Sequence, residues 1–512
     1  MMAAWMIGIG LTALALGVAL VLSLRSYNRF AAAARGPASF ALPRGNQTSA
    51  LDAALDPVLA AHPGQQGLFN VLEGRDAFAT RTLATRSAGR SLDIISYIWR
   101  TDLTGWLMLA ELIAAADRGV RVRVLLDDVN VQGLDPVFLG LSRHPGIEVR
   151  LFNPIRNRGH AVRRATEFVI GLSRFNRRIH SKAWIADSRL AIVGGRNVGD
   201  IYFGAVQDGF EIGEDADVVL VGSKVDEVQS VFDTYWNLGL SLPIVTLWPG
   251  LQRPARSFRA RLDRHVNSPA SLAYLAETLP PGGSPQMLTE RLRWTDQVEI
   301  LSDPPEKAFG KRSGPWLSNR IEALIEQTGS DLRLITPYFV PGKPGMDLLA
   351  RLRQRGVTVS LLTNSLASTD LMAIHGAYTY YRRRLLALGV RLYELGPRPG
   401  RWRRRAFLHS KVFLFDDRKA LIGSANFDLR SANLNIELGL VFEQPELLAE
   451  LVERFQLLTG PESAYAVSER DGRLIWQQNG PDQPVILTVE PEASMMRMMI
   501  AGVMRILPHG YF

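Results

Sequence analysis

The chain predicts an α/β fold made of two related halves, and three observations carry that reading. Histidine, lysine and aspartate at positions 1, 3 and 8 of a short pattern occur twice, as His180, Lys182, Asp187 and as His409, Lys411, Asp416. Apolar runs of strand length recur in the same order around each copy. Between the first two runs of each half lies a stretch whose apolar residues repeat at helical spacing. Strand, helix, strand in repeated succession reads as a mixed sheet flanked by helices.

Taken in order, the first half offers strands over 91–96, 118–122 and 146–151, with a helix over 107–116. The second offers strands over 331–336, 355–359 and 389–393, with a helix over 346–353. Each series then reaches a continuous apolar run, Ala183-Trp184-Ile185-Ala186 or Val412-Phe413-Leu414-Phe415, of the kind that forms a buried strand. Alternation along such a strand puts each His and its Lys on one face. A second apolar run follows each aspartate and ends in a small-residue turn, Gly194-Gly195-Arg196-Asn197 or Gly423-Ser424-Ala425-Asn426.

These residue types suit a phosphodiester. Its negative charge repels nucleophiles, so a site needs fixed positive charge, directed donors on the non-bridging oxygens, one attacking base and one acid. His180, Lys182, Asp187, His409, Lys411 and Asp416 form the candidate catalytic set. Lys182, Asn197, Lys411 and Asn426 are the candidate phosphate ligands. Imidazole suits either proton role because its unperturbed pKa is about 6.5. No metal and no cofactor is required by this inventory. Arg196 stands where the second turn has Ala425, and either reads a substrate phosphate or faces solvent.

The doubled pattern resembles the phospholipase D superfamily, over nearly everything after residue 60. Leu126-Asp127-Asp128-Val129-Asn130, Gly194-Gly195-Arg196-Asn197-Val198-Gly199-Asp200, Thr336-Pro337-Tyr338-Phe339-Val340-Pro341 and Thr363-Asn364-Ser365-Leu366 are similar to the bacterial cardiolipin synthase branch, most of all its C-type members. The resemblance implies two tandem phospholipase D-like domains forming one shared active site. It also implies a two-step transfer: one His attacks phosphorus to give a phosphohistidine, and the other protonates the departing alcohol. Family usage assigns His180 as nucleophile and His409 as acid. It makes Asp187 and Asp416 structural, and gives the orientation of the histidines to carboxylates matching Asp215 and Glu437.

At 512 residues the chain exceeds one ordinary core, and 47% hydrophobic with 21% charged residues marks a globular protein. The repeat divides it into a first domain over 67–239 and a second over 298–460, with an extension over 461–512. The connection over 240–297 carries Pro243, Pro249, Pro254, Pro269 and the cluster Pro280-Pro281-Gly282-Gly283-Ser284-Pro285, which interrupts regular structure. The loop over 303–315, with Lys307, Lys311 and Arg312, reads as a solvated linker or as part of the site mouth, the former being preferred.

Residues 1–24 contain no charged side chain, with Trp5 and Tyr27 near the two ends. At 1.5 Å per residue such a helix spans about 36 Å, enough for a hydrocarbon core of about 30 Å. A transmembrane anchor over 1–24 and a juxtamembrane segment over 25–66 are therefore expected. A cleavable signal peptide would want a basic segment ahead of the apolar run, which is missing. Arg25, Arg29 and Arg35 place the domains that follow on the cytoplasmic side of a bacterial inner membrane.

The absence of cysteine excludes disulfides, thiol nucleophiles and cysteine-based metal sites. A net charge of +9 suits nucleic acid or an anionic lipid surface. Arginines cluster ahead of both signature strands: Arg156, Arg158, Arg163, Arg164, Arg174, Arg177 and Arg178, then Arg398, Arg401, Arg403, Arg404 and Arg405. Few aromatic side chains interleave them, so an anionic membrane surface is the expected partner and nucleic acid is not. The stretch over 495–507, rich in methionine, fits an interfacial helix or a packed one equally well. No protein partner is legible.

The leading function is transfer of a phosphatidyl group from a glycerophospholipid, phosphatidylglycerol or phosphatidylethanolamine, to phosphatidylglycerol, which makes cardiolipin. The alternative is a phospholipase D-type phosphodiesterase, a lipid hydrolase before a nuclease. A non-catalytic lipid scaffold is disfavoured, because neither half has lost its His, Lys or Asn.

Overall fold

The computed structural model describes residues 2–45, 48–205, 212–248, 255–279, 282–396, 406–479 and 484–505. In the first half a nine-stranded sheet runs in the order Arg293–Thr295, Gln66–Val71, Asp217–Val221, Leu190–Gly194, Ala183–Ala186, Ser91–Ser96, Arg121–Asp127, Ile147–Phe152, Ser241–Pro243. Its centre is mixed. Ser91–Ser96, Arg121–Asp127 and Ile147–Phe152 are parallel neighbours, while Ala183–Ala186 runs antiparallel to Ser91–Ser96. The second half repeats this core: Asp331–Ile335, Thr358–Asn364 and Arg391–Leu395 are parallel, and Val412–Phe415 is antiparallel to Asp331–Ile335. Parallel neighbours need crossovers, which helices Leu103–Asp117 and Gly342–Gln354 provide.

The continuous apolar runs are explained by burial of both sheet faces. Trp184 and Ala186 point into a core with Trp99, Trp106 and Phe138, whereas Ala183 and Ile185 point the other way. In the second half Phe413 and Phe415 join its own helix-covered core, and Val412 and Leu414 meet Ala183 and Ile185 in a core shared by both sheets. Fully burying each such aliphatic or aromatic side chain contributes about 1.5–3 kcal/mol. The shared core therefore fuses the halves.

Two short backbone pairings seal the junction. Ile212–Glu214 of the first half pairs in parallel with Ala406–Leu408 of the second, and Ile179 bridges to Ile436. These four segments lead directly into the two histidines and the two expected orienting carboxylates.

The stretch between the halves is more regular than its prolines predict. Helices Ala255–Val266 and Pro269–Thr278 occupy it; Pro269 sits in the first helical turn, where a missing N–H costs nothing, and Ser268 caps that helix. His265 stacks on Trp106 with ring centres 4.7 Å apart. Pro249, Pro254, Pro280 and Pro281 lie outside the described residues.

The N-terminal helix runs Met2–Ala33, and its end is docked: Tyr27, Ala31 and Ala34 are buried, and the Tyr27 hydroxyl donates to the Pro154 carbonyl at 2.9 Å. Among the described residues no helix is long and apolar enough to cross a membrane. At the other end, helix Met495–Met504 packs Ala501 onto Gly376, where a Cβ would come within 2.6 Å of the Ala501 carbonyl. Its opposite side leaves Met495, Met496 and Met499 exposed, while Ile506 and Leu507 lie outside the described residues.

Candidate active site

Each histidine is placed by the half to which it does not belong. The His180 N–H donates to the Ile436 carbonyl at 2.9 Å, and the His409 N–H to the Glu214 carbonyl at 2.7 Å. Ser181 and Ser410 send their hydroxyls to the same two carbonyls, at 3.1 and 3.0 Å. The residue after each carbonyl is a carboxylate that takes the histidine: Glu437 lies 2.9 Å from His180 Nδ1, and Asp215 lies 2.5 Å from His409 Nδ1. With Nδ1–H committed, each neutral ring keeps an Nε2 lone pair for chemistry.

The carboxylates are themselves held. Glu437 accepts hydroxyl hydrogen bonds from Ser424 and from Ser431, the latter at 2.9 Å. Burial would raise its carboxyl, but His180, Lys182 and Ser424 together hold it below its ordinary value. Asp215 accepts from the Ala216 N–H at 2.9 Å, and the position matching Ser424 is Gly195, where a Cβ would come within 2.3 Å of Asp215 Oδ1. Burial opposes ionisation of Asp215, and His409 and Lys411 overcome it.

Lys182 and Lys411 are buried and hydrogen-bonded to the carbonyls of His180 and His409. Burial pushes the Lys411 ammonium down to about 8. Burial and then the Lys411 charge push Lys182 well below its ordinary range. Burial likewise takes His180 down to about 4 and His409 to about 3, both rings also feeling Lys182 and Lys411. The two amines crowd each other, Lys411 being among the causes that lower Lys182, and an anionic phosphodiester bound between them would relieve that repulsion.

The turn residues divide. Asn197 accepts from the Ile98 N–H at 3.1 Å through Oδ1, which leaves its buried Nδ2 facing the Tyr202 phenol as a donor. Asn426 has a buried Oδ1 with no partner, and rotating the amide exchanges that oxygen for a donor. Arg196 does not face solvent. It is buried, donates to the Asp215 carbonyl at 2.7 Å and pairs with Asp217 at 3.2 Å, so it braces the strand that carries Asp215.

Asp187 and Asp416 sit apart from the imidazoles. Each occupies a left-handed hairpin turn, with φ of 54° in both cases. Asp187 accepts from the N–H groups of Gly89, Arg90 and Ser91, and Asp416 from those of Gly329, Ser330 and Asp331. These bonds fit the structural role that the resemblance implies for both aspartates, holding the turns ahead of strands Ser91–Ser96 and Asp331–Ile335.

A family model described as the phospholipase D-like domain of cardiolipin synthase matches residues 84–236 and 321–459. Cardiolipin synthase C of Escherichia coli is 36% identical over 483 residues, covering 90% of this chain and 98% of that protein. The chain belongs to the cardiolipin synthase family of phospholipase D-like enzymes. The major cardiolipin synthase of Bacillus subtilis is 25% identical over 75% of the chain and 67% of its own length. The crystal structure of a phosphatidylserine synthase from Haemophilus influenzae shares the fold, with a TM-score of 0.56 at 15% identity over 86% of this chain and 92% of that one.

In this cardiolipin synthase-family site, sequence reasoning missed a buttress behind Glu437. The loop over 303–315 is not a solvated linker at its start: Asp303 and Lys307 are fully buried and paired at 2.8 Å. Asp303 accepts from the Glu437 N–H at 3.0 Å and donates its own N–H to the Glu437 carbonyl at 3.1 Å. A Lys four residues after an Asp reads in sequence as a surface pair, so no local signal distinguished it. Aromatic rings were missed too: Tyr97 stands edge-on to His180 at 4.6 Å, and Tyr202 meets His409 at 5.3 Å. The second arginine cluster, 398–405, lies outside the described residues.

Proposed function

We propose that the protein is a membrane-held phosphatidyltransferase that joins a phosphatidyl group to phosphatidylglycerol and so makes cardiolipin. The observation that carries this reading is the crossed pairing of His180 with Glu437 and His409 with Asp215, with Lys182 and Lys411 between them. His180 Nε2 attacks the donor phosphorus, the phosphorus–oxygen bond to the head-group alcohol breaks, and His409, which takes up a proton on Nε2 as the anionic donor fills the site, passes that proton to the alcohol. The acceptor hydroxyl then attacks the phosphohistidine, gives its proton to His409 and releases His180. Lys182, Lys411, Asn197 and Asn426 hold the non-bridging oxygens.

The two catalytic units are taken as 67–239 and 298–460, joined through 240–297 and extended over 461–512. Residues 1–24 of the N-terminal helix act as a single-pass anchor, with the catalytic units on the cytoplasmic side of the bacterial inner membrane. Helix Ala161–Ile170 supports a bilayer beside that anchor: none of its residues is buried, Val162 and Val169 are 79% and 70% exposed, and Arg163 and Arg164 flank them. Apolar side chains with basic neighbours suit an anionic interface.

The test is to supply membranes containing the protein with labelled phosphatidylglycerol. Labelled cardiolipin, lost in His180→Ala and His409→Ala, is the expected product. Labelled phosphatidic acid in its place would move the protein to the hydrolases.

A further inference from the structure

The two half-sites differ at one pair of matched positions. The residue two before each histidine is Arg178 in the first half and Phe407 in the second; the Ile436 N–H donates to the Arg178 carbonyl and the His180 N–H to the Ile436 carbonyl, an extended pairing that turns the Arg178 and His180 side chains to one side. Beside them end the matched strands Arg121–Asp127 and Thr358–Asn364. Asn364 serves the backbone of Leu408 completely: its Nδ2 donates to the Leu408 carbonyl at 2.9 Å and its Oδ1 accepts from the Leu408 N–H at 2.9 Å. Phe407 closes that side, buried, with its ring 5.6 Å from His409.

In the first half Asp127 replaces the Asn and Arg178 replaces the Phe. Asp127 accepts from the Ile179 N–H at 3.3 Å and from the Val129 N–H at 3.1 Å. Arg178 is 2% exposed, yet among the described residues neither of its terminal nitrogens has a hydrogen-bond partner. Its nearest carboxylate oxygen, on Asp127, is 3.8 Å away and outside hydrogen-bonding range. The Arg178 charge offsets that of the buried Asp127, but at this distance the pairing leaves the N–H donors of the fork unfilled. An amide does the same backbone work at Asn364 with no charge at all, and a guanidinium serving only as counter-ion would close its fork on the carboxylate. A buried, unfilled fork of N–H donors on the side of the extended segment shared with His180 fits a second anion.

We propose that Arg178 binds the non-reacting phosphodiester of the acceptor lipid, which makes it a specificity residue for an anionic acceptor. The inference rests on the phosphatidyl-transfer reading. A donor lipid brings one phosphodiester, the one that reacts, whereas the acceptor brings another that survives into the product. In the transfer step the acceptor hydroxyl oxygen bonds to phosphorus, the phosphorus–nitrogen bond to histidine breaks, and the hydroxyl proton passes to the other imidazole. Arg178 takes no part in these bond changes. Side chains two positions apart on a strand stand about 6.6 Å apart, a span comparable to the three-carbon bridge between the product's phosphates. Water or a simple alcohol, having no phosphate, gains nothing from Arg178.

The test lets phosphatidylglycerol and ethanol compete for a labelled phosphatidyl donor on the full-length protein in vesicles. It reads the ratio of labelled cardiolipin to labelled phosphatidylethanol. Arg178→Gln is expected to lower that ratio more than tenfold and to raise KM for phosphatidylglycerol. The double variant Asp127→Asn/Arg178→Gln, which leaves no unpaired buried carboxylate, is expected to do the same. An unaltered ratio overturns the inference, whether both products fall together, as they would if Arg178 held the reacting phosphate or the fold, or neither falls. An unmodified protein that forms phosphatidylethanol but no cardiolipin would instead overturn the transfer reading beneath it.

Discussion

Glu437, in the second half of the chain, holds the imidazole of His180, in the first, at 2.9 Å. The reciprocal bond from Asp215 to His409 crosses the same junction. A histidine whose tautomer is set by the opposite half has no working partner until both halves have folded together, so the duplicated motif acts as one site.

Replacing Glu437 with Gln keeps the side-chain length but removes the anion and offers an amide in its place. With the Nδ1 proton no longer held, kcat is expected to fall roughly 10²- to 10⁴-fold. Steady-state kinetics beside an unfolding curve check this, and a loss under threefold would remove Glu437 from its positioning role.

Lys307 and Asp303 are buried together beneath Glu437. Removing one partner strands the other charge, so Lys307→Met is expected to cost about 3–5 kcal/mol of stability. The double variant Asp303→Asn/Lys307→Met should recover a large part of it. Urea unfolding measures both. Activity of the single variant should fall with the Glu437 backbone, which Asp303 grips at N–H and carbonyl alike.

Lys411 is depressed by burial to about 8. Its ammonium is present below that value and is lost as pH rises through it, so kcat/KM of the free enzyme should decline on an alkaline limb near 8. Lys411→Arg should move that limb upward, whatever its effect on the maximum, because a guanidinium keeps its charge. A pH–rate profile with the limb unmoved would exclude Lys411 as its source. On the acid side His180 and His409, lowered to about 4 and 3, should stay neutral well below neutral pH.

Val162 and Val169 stand exposed on one helix, and Val162 lies beside the docked end of the N-terminal helix. Changing both to Ser should reduce the rate on anionic vesicles several-fold while altering the rate in detergent micelles less than about twofold. Equal effects in both media would mean that the helix does not meet lipid.

Much of the scaffold was legible because local pattern and tertiary environment agree. The runs Ala183–Ala186 and Val412–Phe415 are strands buried on both faces, and the order of the paired strands and helices is the expected one, although the second strand of each half runs Arg121–Asp127 or Thr358–Asn364, later than the expected 118–122 and 355–359. What stayed hidden depends on contacts distant in sequence. Nothing near Asp215 or Glu437 announces that each serves the other half's histidine. Arg196 and Lys307 read as charged loop residues, and only tertiary packing makes them internal braces. The prolines after Ser241 predicted a broken chain, yet Pro269 sits where a helix accepts proline.

The stereochemical course at phosphorus tests the account most directly. A donor lipid made chiral at phosphorus with sulfur and oxygen isotopes would be converted to product and its configuration read. Two successive displacements, onto a histidine and off again, predict retention. Inversion would mean that the acceptor attacks the donor in one step, and the paired imidazoles would then have no covalent role.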